Sequence, residues 1–185
     1  MISVNDFKTG ITIEIEGVLW QVVDFQHVKP GKGAAFVRAK LKNLDKGSTL
    51  ERTFRGGEKV QRAIVERKPF QYLYVQDDMY VFMDNNTYEQ INVTKDVLGD
   101  DLKWLKDSMD VQIVFHGDKI LGVEMPNFVE LKVTQTDPGL KGDTAQGGSK
   151  PATVETGAVV SVPLFIEEGD VLQIDTRSGE YLKRV

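Results

Sequence analysis

The sequence predicts an all-β protein built of three small barrels in a row. Three observations carry this. Apolar residues alternate with polar ones at period two along most of the chain, as in Ile11, Ile13 and Ile15 against Thr12, Glu14 and Glu16. Turn signals such as Asp77-Asp78, Asp84-Asn85-Asn86, His116-Gly117-Asp118 and Arg177-Ser178-Gly179 separate short segments. Many short strands in 185 residues fit several small barrels better than one large sandwich.

In chain order, Ile11–Ile15 turns at Gly17 into Val18–Val23, and Val37, Ala39 and Leu41 alternate with Arg38, Lys40 and Lys42. Strands follow at Tyr72–Tyr74, Tyr80–Met83, Glu89–Val93, Val111–Phe115 and Ile120–Val123, then at Val129–Val133, Ala158–Val162 and Val171–Asp175. One helix is expected after Val93. Thr94 caps it, Asp96 sits in its first turn, and Leu98, Leu102 and Leu105 share a face, with Gly99 weakening it by about 1 kcal/mol. Boundaries near 63 and 127 give modules 1–63, 64–127 and 128–185. Domains of this size bury only about 60% of their unfolded surface, so neighbours are expected to dock.

Composition narrows the function. There is no cysteine, which removes disulfides, thiolate metal sites and cysteine nucleophiles together. His27 and His116 stand far apart in unlike contexts, so no metal site is expected. No catalytic constellation and no cofactor motif is visible, and the chain reads as a non-enzyme. No apolar run approaches the roughly 20 residues of a membrane span, and Met1–Phe7 shows no leader, so a cytoplasmic monomer without membrane contact is expected.

Net charge is −5, but it is unevenly spread. Residues 1–62 carry eleven Lys/Arg against seven Asp/Glu, residues 63–127 six against twelve, and residues 128–185 six against nine. A basic first module on an acidic body suits contact with a phosphate backbone at one end only.

Two loops stand out. In His27–Ala35, Pro30 stiffens the ascending limb of a hairpin, and Gly31 and Gly33 flank Lys32 and permit backbone angles other residues resist. Its tip can project about 10 Å and present the Lys32 amine, with Lys29 behind it. An ordinary solvated turn is the alternative from residue types alone. A phosphate loop is excluded, because Phe36 stands where the third glycine would be and a strand follows. The second loop, Thr136–Pro151, reads as sixteen residues without regular structure. Its Gly142–Ser149 run approaches a Walker A pattern but has Gly148 where lysine is required. Its glycine amides with Lys141 and Lys150 suit RNA phosphates.

These stretches resemble the bacterial elongation factor P family, relatives of eukaryotic and archaeal initiation factor five-A. Lys29-Pro30-Gly31-Lys32-Gly33 and Asp137–Thr144 carry the likeness, with Lys150, Ala152, Gly157, Val160, Val162-Pro163, Ile166 and Gly169 in the family's spacing. It extends over essentially the whole chain. It implies an SH3-like (KOW-like) barrel followed by two OB-fold barrels, in an L that mimics tRNA. It further implies binding to the 70S ribosome between the P and E sites, against ribosomal RNA and proteins near the E site. Lys32 would be the lysine that a dedicated enzyme modifies and that reaches the CCA end of P-site peptidyl-tRNA, with Lys29, Pro30, Gly31 and Gly33 forming its tip. Lys141, Gly142, Asp143, Thr144 and Lys150 would form a distal ribosome- or tRNA-contacting loop. The expected function is relief of stalling at consecutive prolines. Lysine at position 32 excludes the rhamnosylated branch, and Met1–Gly10 looks more like the aminopentanol branch than the β-lysine one.

A different class stays open: an OB-fold module that binds RNA or other single strands without a ribosomal role. Phe70, Tyr72, Tyr74, Tyr80, Phe82 and Tyr88 are its candidate stacking residues, although a period-two stripe of aromatics also suits a core.

Overall fold

Alternation dictates the first sheet. In the computed structural model, which describes residues 1–139 and 148–185, strand β4 (Phe36–Asn43) buries Val37, Ala39 and Leu41 and exposes Arg38, Lys40 and Lys42. Around it lie β1 (Ile2–Ser3), β2 (Thr12–Ile15), β3 (Val18–Val28), β5 (Thr49–Arg55) and β6 (Lys59–Ala63), in the order β1-β6-β2-β3-β4-β5. Glu16 and Gly17 both take positive φ to make the two-residue turn from β2 to β3. The core gathers Val4, Phe7, Ile13, Val22, Val37, Leu41 and Phe54, with the rings of Phe7 and Phe54 edge to face at 5.6 Å.

The second sheet, ordered β11-β10-β7-β8-β9, contains β7 (Glu66–Gln76), β8 (Met79–Asp84), β9 (Gln90–Thr94), β10 (Asp110–His116) and β11 (Lys119–Glu124). The third, ordered β14-β13-β12-β15-β16, contains β12 (Phe128–Thr136), β13 (Ser149–Val154), β14 (Val159–Pro163), β15 (Val171–Asp175) and β16 (Glu180–Arg184). Its outer strands β14 and β16 come into contact, so the sheet curls on itself.

Two expectations need correction. The helix after Val93 is a single turn, α1 (Lys95–Leu98), followed by a 3₁₀ segment over Gly99–Trp104. Gly99 at φ +55 leaves the helical basin, and Thr94 makes no side-chain cap. Leu98 and Leu105 are buried and Leu102 half-buried, but no continuous helical face joins them. The distal loop is also shorter than sixteen residues, because Thr136 ends β12 and Ser149, Lys150 and Pro151 open β13. Pro151 pairs across to Ser161 within that strand, where a proline is usually a breaker.

The chain forms two compact units, Met1–Arg67 with Val114–Leu121, and Lys68–Ile113 with Gly122–Val185. In the first, the Lys119 ammonium lies 3.4 Å from the Asp45 carboxylate. In the second, the indole of Trp104 is 2% exposed and belongs to the core of the third sheet, with Leu131, Val160, Ile166, Leu172 and Ile174. Thr156 donates its hydroxyl hydrogen to the Lys103 carbonyl at 2.5 Å, and Lys106 pairs with Glu155 at 3.1 Å. The segment after α1 is thereby fastened to the third sheet.

Candidate functional site

The β3–β4 hairpin positions Lys32. Val28 pairs with Phe36, and all seven residues between them, 29–35, are exposed. Gly33 sits at φ +110, a conformation side chains rarely adopt, whereas Gly31 does not take a positive φ and has open space around it. Only one of the two glycines is therefore required by the backbone. The space beside Gly33 is bounded by Pro30, whose Cγ lies 3.7 Å from where a Cβ would stand.

The descending limb is braced at its base. Gly56 donates its N–H to the Ala35 carbonyl at 2.9 Å, and a Cβ on Gly56 would lie 3.0 Å from that oxygen. Gly57 donates to the Asn5 side-chain oxygen at 3.2 Å. Beneath the tip lies an open cleft of about 520 Å³, lined by His27, Lys29, Ala34, Ala35, Phe36 and Gly56. Among the described residues no carboxylate pairs with Lys29 or Lys32. The arrangement can offer one primary amine at the apex of a loop whose root is fixed.

The basic excess of residues 1–62 is spread unevenly over the hairpin. On the outer face of β4, Lys40 stands across from Asp24 and Glu51 in the strand register. Arg38 lies between Gln26 and Thr53, and Lys42 between Gln21 and Thr49, all uncharged. Arg38 and Lys42 are two further exposed cations on this hairpin, and Arg38 lines a shallow cleft with Asp24, Lys40 and Glu51. Strand alternation signals that both point outward. Their neighbours depend on the bulge between Val22 and Asp24, which a sequence does not reveal.

The distal site divides. Lys141, Gly142, Asp143 and Thr144 lie outside the described residues. Lys150 is not on an accessible loop: it is 8% exposed on β13, and its ammonium donates to the carbonyl of Asp137. Thr136 adds a hydroxyl donation to Pro151 O at 3.0 Å, and its N–H donates to the Glu168 carboxylate at 3.4 Å. Gly139 packs directly on the backbone of Leu164, with a Cβ there falling on the Leu164 carbonyl oxygen and 2.9 Å from its Cβ. The amine expected to meet RNA phosphate instead secures the root of the loop.

Of the six aromatic candidates for strand stacking, Phe70, Tyr72 and Phe82 are buried, Tyr80 is half-buried, and Tyr74 and Tyr88 are exposed. The stripe is mainly core. Burial, with help from the nearby Asp107 and Tyr80, pushes the Tyr72 hydroxyl above its ordinary value, as suits a packed ring. Among the described residues no three of His, Cys, Asp or Glu come together to hold a metal ion. Among the same residues no helix is long and apolar enough to cross a membrane.

Comparison with known proteins places all three sheets. Residues 3–60 match the family model described as the elongation factor P (EF-P) KOW-like domain. Residues 65–123 match the elongation factor P OB domain, and residues 129–184 the elongation factor P C-terminal model. Elongation factor P of Pelotomaculum thermopropionicum is 60% identical over 185 residues, covering 100% of both chains. That of Carboxydothermus hydrogenoformans is 58% identical with the same coverage. Among solved structures, eukaryotic translation initiation factor 5A from Methanococcus jannaschii superposes with a TM-score of 0.53 at 27% identity, over 66% of this chain and 94% of that one.

Proposed function

This chain belongs to the elongation factor P family of translation factors, and from that premise we propose that it binds the ribosome between the P and E sites and promotes peptide bond formation where consecutive prolines stall it. The observation that supports this most is the placement of Lys32, an exposed amine, unpaired among the described residues, at the apex of a hairpin braced at its root. An amine on so narrow a support suits entry into a confined space. A group that enters beside a misplaced peptidyl-tRNA end and holds it lowers the orientational cost of attack by a constrained proline. The ribosome supplies the chemistry; this chain supplies position.

In this reading a lysine-modifying enzyme lengthens Lys32, Lys29 with Pro30, Gly31 and Gly33 forms the tip, and Arg38 and Lys42 meet tRNA phosphates. Lys141, Gly142, Asp143, Thr144 and Lys150 belong to a second loop region that contacts the ribosome or tRNA. The chain works as three modules, residues 1–63, 64–127 and 128–185, in the cytoplasm and as a monomer.

A reporter carrying consecutive prolines tests the reading in cells lacking the native factor. Lys32→Ala should abolish rescue while changing stability by no more than about 0.5 kcal/mol. Lys29→Ala removes the same charge three residues away and should only weaken rescue, recoverably at higher dose. Full rescue by Lys32→Ala at equal protein level refutes the reading.

A further inference from the structure

The turn between β8 and β9 contains a residue whose backbone is strained and whose ring packs on no other ring or cation among the described residues. Tyr88 has φ +63, a left-handed conformation that bulky side chains avoid, and is 71% exposed. The turn around it is tightly built. Tyr88 donates its N–H to the Asp84 carbonyl at 2.9 Å, and the Asp84 N–H donates to the Glu89 carbonyl at 2.8 Å. One oxygen of the Asp84 carboxylate accepts from the Asn86 and Thr87 amides at 2.8 and 3.2 Å, and Asn85 ties the turn to Asp110 by a side-chain hydrogen bond of 3.3 Å. The ring is therefore held outward by a rigid frame. Among the described residues no other ring and no cation packs on it.

The same chain shows what such an arrangement accepts. In the third sheet, exposed Phe128 stands opposite Asp175, and Arg177 fills the angle between them. Its guanidinium lies 5.4 Å from the Phe128 ring centre and makes two bonds to Asp175, of 3.1 and 2.9 Å. Aromatic face plus carboxylate is a guanidinium site. Tyr88 offers the exposed ring of such a site, with Glu89 next to it in the chain and Asp84 and Asp110 holding the turn. Lys68 offsets part of this charge at Asp84, but residues 63–127 as a whole carry twelve acids against six bases. Phosphates are repelled by such a surface.

We propose that Tyr88, with Glu89 and Asp84, anchors the docking of a protein surface that presents arginine. The ring takes the guanidinium face and the carboxylates take its edge. This inference stands apart from the role of Lys32 and needs no ribosome for its test.

The full chain is titrated separately with a hexa-arginine peptide, a hexa-lysine peptide and a six-nucleotide single-stranded RNA. Affinity is read by anisotropy of the labelled probe and the tyrosine ring signals by NMR. Hexa-arginine should shift the Tyr88 ring and bind roughly fivefold tighter than hexa-lysine, the margin of one cation–π contact. Tyr88→Asn suits the left-handed backbone, so it should melt no lower than the parent, and it should bring hexa-arginine down to the hexa-lysine affinity. Equal affinity for the two peptides, or unchanged hexa-arginine binding by Tyr88→Asn, overturns the proposal. RNA that shifts the Tyr88 ring at lower concentration than hexa-arginine also overturns it, in favour of base stacking.

Discussion

The ammonium of Lys150 reaches back thirteen residues to the carbonyl oxygen of Asp137 and closes the base of the distal loop from inside the third sheet. A buried amine with a backbone partner is costly to lose, because the carbonyl is then stranded without solvent. Lys150→Met keeps the alkyl volume and removes only the donor. It should lower stability by about 1–3 kcal/mol, measured by urea unfolding. An unchanged midpoint would show that water replaces the amine there.

The two tip glycines should behave differently. Gly33→Ala must adopt φ +110 and should lose roughly 1–3 kcal/mol or distort the tip. Gly31→Ala meets open space at an ordinary backbone angle and should be neutral to within about 0.5 kcal/mol. Thermal unfolding of the two single variants gives the comparison, and equal losses would contradict this account.

Acid should act through Asp84. Backbone donations from Asn86 and Thr87 hold its carboxyl below the usual range in the fold. A folded pKa below the unfolded one means stability that is complete above the unfolded value of about 4 and is lost as pH falls through the folded one. Asp84→Asn cannot titrate, so its stability should be flatter than the parent's below about pH 4. Parallel curves for the two proteins between pH 2 and pH 5 would assign the acid sensitivity elsewhere. Asp175, lowered by its bonds from Arg177, is the next group to test.

Trp104 should be a large contributor to the second unit. Truncation to alanine should cost about 3–5 kcal/mol, as for other buried tryptophans. Its ring nitrogen is buried with no hydrogen-bond partner among the described residues, so Trp104→Phe removes an unsatisfied donor along with some volume. The phenylalanine variant should therefore lose much less than the alanine one in denaturant titration. Losses of equal size would mean that the indole N–H is satisfied by water.

Strands that sit between a core and solvent were legible because one face had to be apolar. β4 is the clearest, with Val37, Ala39 and Leu41 inward. Edge strands were not. Thr49–Arg55 buries only Phe54, and Glu180–Arg184 buries nothing fully, so no alternation marks them. The residues that carried the family resemblance in the third module also prove to be largely packing residues. Lys150, Ala152, Val160, Val162 and Ile166 are buried, while Gly157 and Gly169 take positive φ in turns. The burial of Lys150 was not legible because its partner is a backbone group thirteen residues away, and lysine in a glycine-rich stretch suggests solvent. The tip was easier. Its proline, glycines and lysine are consecutive, and nothing distant is needed to place them on a hairpin.

The position of Trp104 also sets an order of events at birth. The chain is made from its amino end, so this indole is in place before Leu131, Val160 or Ile174 has been added. Until the last fifty or so residues follow, it has no interior to enter and stays wet on a nascent chain. The third sheet then closes on a side chain that was waiting for it. Completion of the third sheet thus also buries the segment after α1, and a chain stopped before Val171 should leave the Trp104 indole in water.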